Sequence, residues 1–180
     1  MAHAAFQTAS QDNSDIRIYV ACLAAYNNGI LHGRWINADQ DADDIRSEIA
    51  AMLKASPIED AEEYAIHDYE GFEGVSLSEY HGIDEVSAMA AFIAEHGELG
   101  AELFKHYGDI AAAETALEDV YCGEYRSIAE YAEQLTEETV SIPESLRYYI
   151  DYDAMARDMA ISDVLFIETG FECVHVFWSR

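Results

Sequence analysis

Residues 16–36 read IRIYVACLAAYNNGILHGRWI, and the fold class turns on them. Ile16, Ile18, Val20 and Cys22 alternate along one face, and β-branched and aromatic residues fill the run, which predicts a strand. Asn27-Asn28-Gly29 supplies residues that tolerate positive φ, so residues 30–36 are expected to return as the second arm of a hairpin. Beyond it the period changes. Ile45, Ile49, Met52 and Leu53 recur at helical spacing, Asp41 stands where a cap belongs and Pro57 lies past the end. Residues 42–55 are therefore expected to form an amphipathic helix. A third strand over Tyr64–His67 would complete a small sheet covered by that helix, giving an α+β fold class.

From about residue 81 alanine becomes frequent and β-branched residues rare. Gly97, Gly100 and Gly108 punctuate short helical segments expected at about 83–95, 99–106 and 109–119. VYCGEY at 120–125 is strand-like again. Residues 126–138 carry Ile128, Tyr131 and Leu135 on one helical side. Pro143 is placed to open a further helix through ESLRYYIDYDAMARDM, with a break near Asp151. DVLFIETGFECVHVFW at 163–178 holds two β-rich runs joined at Thr169-Gly170, a second hairpin. These shifts divide the chain into three small domains. Residues 1–81 form sheet plus helix, with 1–15 a flexible extension; 82–119 form a small helical bundle; 120–180 combine helices with an antiparallel sheet.

The chain of 180 residues carries 36 Asp and Glu against 9 Lys and Arg, a formal charge of −27. Its 51% apolar and 12% aromatic content is too rich for a disordered acidic tail, so the chain should fold. Charge of this density repels nucleic acid and anionic membranes and attracts basic clefts. The expected partner is a basic protein, with no nucleic acid and no membrane. Cys22, Cys122 and Cys173 lie far apart in odd number, which suits a reducing cytoplasm. No basic leader precedes an apolar core, and no apolar run reaches membrane-spanning length.

Acid clusters raise calcium first. With Asn37 as the first position of a loop, Asp39 falls third, Asp41 fifth and Glu48 twelfth, as in an EF-hand. Ala42 then stands where the turn requires Gly, Asp44 where an apolar residue packs, and a strand precedes instead of a helix. His3, His32, His67, His81, His96, His106 and His175 show no HExxH spacing, so a zinc site would need long-range convergence that spacing does not reveal. No nucleophile elbow, phosphate loop or dinucleotide fingerprint is present. No catalytic residue, metal ligand or cofactor is nominated, and the chain is read as a non-enzyme.

Collectively the acids say more. Candidates for one exposed acidic surface are Asp39, Asp41, Asp43, Asp44, Glu48, Glu59, Asp60, Glu62, Glu63, Asp68, Glu70, Glu73, Glu114, Glu118, Asp119, Glu130, Glu133, Glu137 and Glu138. Asp44 with Glu48, and Glu114 with Glu118, are like-charge pairs one helical turn apart, each unfavourable by a few tenths of a kcal/mol. At one charge per about 1.7 Å of duplex, 27 charges correspond to about 46 Å of DNA. Composition leaves two readings open: imitation of DNA charge, and a salt-adapted acidic structural or adaptor protein that does not compete with DNA.

Three stretches weigh on that choice. IYVACLAAYNNGILHGRWI at 18–36, EEYAIHDYEGF at 62–72 and IPESLRYYIDYDAMARDM at 142–159 resemble, in order and spacing, the hallmark stretches of the ArdA antirestriction proteins. The pattern YIDY-x-A-x-x-RD, here Tyr149 to Tyr152 with Ala154, Arg157 and Asp158, is the most specific. The resemblance implies a DNA mimic encoded on mobile genetic elements that occupies the DNA-binding groove of type I restriction-modification enzymes. It also implies an elongated homodimer of three small domains. The family's antirestriction motif corresponds to about Glu138–Tyr152, near the dimer contact of relatives. Leu146, Tyr148, Tyr149, Ile150 and Tyr152 are therefore assigned to packing or self-association.

Overall fold

The computed structural model describes residues 16–179; the expected extension 1–15, with His3, lies outside the described residues. β1 (Arg17–Cys22) is the central strand of an antiparallel sheet, between β2 (Gly33–Asn37) and β3 (Tyr64–Glu70). Ile16, Ile18, Val20 and Cys22 are buried as their alternation requires. β3 runs three residues past the expected His67.

The link from β1 to β2 is not a tight hairpin. A short helix, α1 (Leu23–Asn27), follows β1 directly, and β2 starts at Gly33 instead of residue 30. Two Ala residues favour the helical turn. The Cys22 thiol accepts the Ala25 N–H at 3.5 Å, and the Asn28 side-chain amide donates to the Ala24 carbonyl at 2.8 Å. Gly29 then turns the chain at φ 71°.

Gly33 lies opposite Ala21 in the ladder. A Cβ there would stand 2.5 Å from the Val20 carbonyl oxygen and 2.8 Å from the Tyr19 hydroxyl. The obstacle is backbone of a strand bonded on both sides, so it yields little. Gly33→Ala should lower stability by about 1–3 kcal/mol, read as an earlier urea midpoint at unchanged slope. An unmoved midpoint would contradict this packing.

α2 (Ala42–Lys54) buries Ile45, Ile49 and Met52, one stripe at helical period, and packs on β1 and β2. α3 (Ile83–Tyr107) is interrupted at Gly97, which adopts φ 59°, ψ −142°. Few residues other than Gly hold that conformation. Its two arms answer to the separate segments expected at 83–95 and 99–106. The chain divides into two compact units between Gly97 and Glu98. In the first unit Val86, Met89, Ala90 and Ile93 of α3 are buried, again on one stripe.

In the second unit α4 (Ile110–Asp119) is capped by Asp109, whose carboxylate accepts the Ala112 N–H at 2.8 Å. β4 (Tyr121–Tyr125), α5 (Ile128–Thr139), α6 (Tyr152–Ser162), β5 (Val164–Gly170) and β6 (Cys173–Trp178) follow. The three strands form an antiparallel sheet in the order β4-β6-β5. Val164, Val174 and Val176 pack with Tyr131 and Ala132 of α5 and Met159 of α6. Two small antiparallel sheets with helices make the fold α+β.

Two boundaries differ from expectation. Pro143 opens no helix: its carbonyl accepts only the Leu146 N–H, and a single 3₁₀ turn forms at Arg147–Tyr149. The helix waits for Tyr152, because the Asp151 carboxylate caps it by accepting the Ala154 N–H at 2.9 Å. In the last hairpin the ladder continues to Gly170 opposite Cys173, through an irregularity between Glu168 and Gly170. The turn is thus Phe171-Glu172, not Thr169-Gly170, with Glu172 at φ 54°.

Candidate acidic interaction surface

All the nominated acids are exposed except Glu48 and Glu130, which are half-buried. In the first unit the densest group surrounds the start of α2. Asp43 and Asp44 occupy its first turn, where the positive end of the helix dipole favours them. The segment before it is held by its own hydrogen bonds. The Asp39 N–H donates to Asn37 Oδ1 at 3.1 Å, and Gln40 Nε2 donates to the Asn37 carbonyl at 2.8 Å and to Glu48 Oε1 at 3.0 Å. Ser87 of α3 donates to the Gln40 carbonyl at 2.7 Å.

Arg46 joins the two helices, its guanidinium bonding Asp43 at 2.9 Å and also Asp84 of α3. The hydrogen bonds that it donates to the Asp84 and Asp43 carboxylates hold Arg46 more firmly protonated than usual. Asp41, Asp43, Asp44, Arg46 and Asp84 line one shallow notch. Asp84 was not nominated. Its approach to Arg46 is a tertiary contact, and only the Asp43–Arg46 spacing was legible in sequence. Arg34 pairs with Glu48 at 2.9 Å, and Arg17 pairs with Glu70 at 2.6 Å while its guanidinium carbon lies 4.7 Å from the Trp35 ring centroid. Glu59, Asp60, Glu62 and Glu63 lie on the exposed approach to β3, Asp68 lies on β3, and Glu73 follows it.

In the second unit Glu114, Glu118 and Asp119 lie on the exposed side of α4, and Glu133, Glu137 and Glu138 on that of α5. Glu130 is spoken for locally. Its carboxylate accepts the Arg126 N–H at 2.6 Å and the Arg126 side chain at 3.0 Å, which hold it below the usual carboxylate range. Glu137 pairs with Arg147 at 2.8 Å, tying the 3₁₀ turn to α5.

That turn presents Tyr148 and Tyr149 at 90% and 83% exposure, with Leu146 also exposed. Ile150 is half-buried, and Tyr152 packs against the α5–α6 core. The five residues assigned to packing or self-association therefore divide: Tyr152 serves the core, and Leu146, Tyr148 and Tyr149 face outward.

Among the described residues one trio has metal-ligand character: Glu124, Cys173 and His175, each with a ligand atom within 4.8 Å of the others. Burial lowers the His175 pKa and raises that of Tyr121 to about 12. CxH alternation on one strand face was the sequence signal for part of this trio, outside the HExxH pattern sought there.

A search of curated proteins finds no match. The family model described as Antirestriction protein (ArdA) matches residues 18–173. That span runs from the second residue of β1 to the first residue of β6, and with it takes in β2 to β5, the acids of α2 and α5 and the exposed Tyr148-Tyr149 turn. The chain belongs to the ArdA antirestriction family.

Proposed function

We propose that this chain is a DNA-mimicking inhibitor that occupies the basic DNA-binding groove of type I restriction-modification enzymes. Membership of the family implies an antirestriction function, exercised by an inhibitor and not by a catalyst. The groove of such an enzyme presents Lys and Arg side chains placed for phosphates, and carboxylates can engage them without offering base edges to read or a backbone to cut.

The observation that carries this reading is that the acids are exposed on an ordered frame. Asp39 and Gln40 are held by hydrogen bonds to Asn37, Glu48 and Ser87. Side chains displayed by such a frame lose less ordering entropy on docking. Opposite charge also steers the encounter. In this reading three small domains, divided near residues 81 and 119, form each protomer of a cytoplasmic homodimer. Leu146, Tyr148 and Tyr149 meet their counterparts, and no nucleic acid is bound. Among the described residues no helix is long and apolar enough to cross a membrane.

The test is displacement. Purified protein is titrated into a type I enzyme bound to labelled duplex at two salt concentrations. Labelled DNA should be released at low salt, and the inhibitor's apparent affinity should fall at least about tenfold between roughly 50 and 200 mM salt, because surface charge is screened. DNA that stays bound at saturating protein under both conditions would overturn the proposal and favour the salt-adapted reading.

A further inference from the structure

The sheet of the second unit brings together three side chains that inhibition does not require. In the β4-β6 ladder Glu124 lies opposite His175, and Cys173 precedes His175 by two residues on the same strand. Strand alternation places all three on one face. It is the face opposite Val174 and Val176, which pack with α5 and α6.

We propose that Glu124, Cys173 and His175 bind one divalent transition-metal ion of the zinc class. Ligand atoms around a tetrahedral ion with bonds of about 2.0–2.3 Å stand about 3.3–3.8 Å apart. His175 Nε2 and Cys173 Sγ are already 3.7 Å apart. The whole trio falls within 4.8 Å, and Glu124, exposed and flexible, can close the remainder.

A second observation points the same way. His175 Nδ1 lies 2.8 Å from the Tyr121 hydroxyl. With Nδ1–H donating to that oxygen, the Nε2 lone pair faces Cys173, the arrangement in which an outer partner orients a metal-bound imidazole. Thr169 Oγ1 lies 3.1 Å from the thiol and 3.2 Å from Nε2, close enough to hydrogen-bond a thiolate ligand. Thiolate with imidazole selects a zinc-like ion over magnesium or calcium. His175 is buried while Glu124 is exposed, so the ion would enter from the Glu124 side and fasten β4 to β6.

Cobalt(II) is the direct probe. Titrated into the reduced, metal-free full chain, it should produce a sulfur-to-cobalt charge-transfer band that saturates at one ion per chain. Zinc should erase the band, and magnesium and calcium should not. Cys173→Ser should abolish it and Cys122→Ser should leave it intact. Tyr121→Phe should weaken binding about 10- to 100-fold.

Glu124→Gln, at an exposed position, should keep the far-ultraviolet circular dichroism of the parent and weaken binding at least about tenfold, so it tests the site even if Cys173→Ser fails to fold. Absence of a saturable band, a band that survives Cys173→Ser, or binding indifferent to Glu124→Gln would each overturn the site.

Discussion

Replacing Phe177 by Ala should lower the stability of the second unit by about 3–5 kcal/mol. Phe177 is fully buried on β6, the central strand, between Tyr121 of β4 and Leu165 of β5. Its ring centroid lies 4.9 Å from that of Tyr121. A strand bonded on both edges cannot move inward to fill the space, so most of the cavity persists. Against a typical total of about 5–15 kcal/mol, a loss of this size leaves the unit marginal. The chain has two tryptophans, and Trp35 lies in the first unit while Trp178 lies in the second. In a Trp35→Phe background, Trp178 fluorescence during urea unfolding reports the second unit alone. Formal charge stays at −27 throughout. Inhibition should nevertheless fall at least about tenfold in the unfolding variant, because acids on a disordered segment must be ordered on docking. Full inhibition by a chain whose second unit is unfolded would show that charge suffices without shape.

Periodicity was the legible part of this fold. Ile18 and Val20 in β1, Ile45, Ile49 and Met52 in α2, and Val174 and Val176 in β6 are buried as their spacing requires. Misplaced boundaries have local chemical causes that periodicity does not register. The Cys22 thiol caps α1, a role usually taken by an oxygen side chain, and the Asp151 carboxylate caps α6 eight residues after the proline expected to open it. Convergence was the least legible. Arg46 reaches Asp84 across 38 positions, and Tyr121 reaches His175 across 54. Such contacts depend on strand register and helix packing, and a one-residue slip would turn Glu124 to the opposite face. The exposed acids were legible as a set of positions. Which of its members are already occupied by Arg17, Arg34, Arg46, Arg126 or Arg147 was legible only at helical spacing.

If the chain forms the proposed homodimer, changing Tyr148 and Tyr149 together to Ser should raise its dissociation constant by roughly a thousandfold or more, and the same change should leave folding stability within about 0.5 kcal/mol. The two effects separate because the side chains are 90% and 83% exposed in the single chain and contribute little to its core. Across a two-fold contact each would bury roughly 150–250 Å² of aromatic surface, and both protomers lose the pair at once. Tyr152 is the wrong partner for this experiment. It packs against the core cluster of α5, α6 and the sheet, and its hydroxyl is buried without a hydrogen bond, so its loss would disturb fold and contact together. The turn itself should survive, since Arg147 remains paired with Glu137. Sedimentation equilibrium over a range of concentrations reads the association, and urea unfolding reads the fold. A parent chain that is monomeric at every concentration, or a variant that still dimerises, would remove this turn from the interface. If the contact is lost as expected, each monomer presents half of the acidic surface, so inhibition should weaken and depend less steeply on salt. Undiminished inhibition by the monomer would place the whole target contact within one chain.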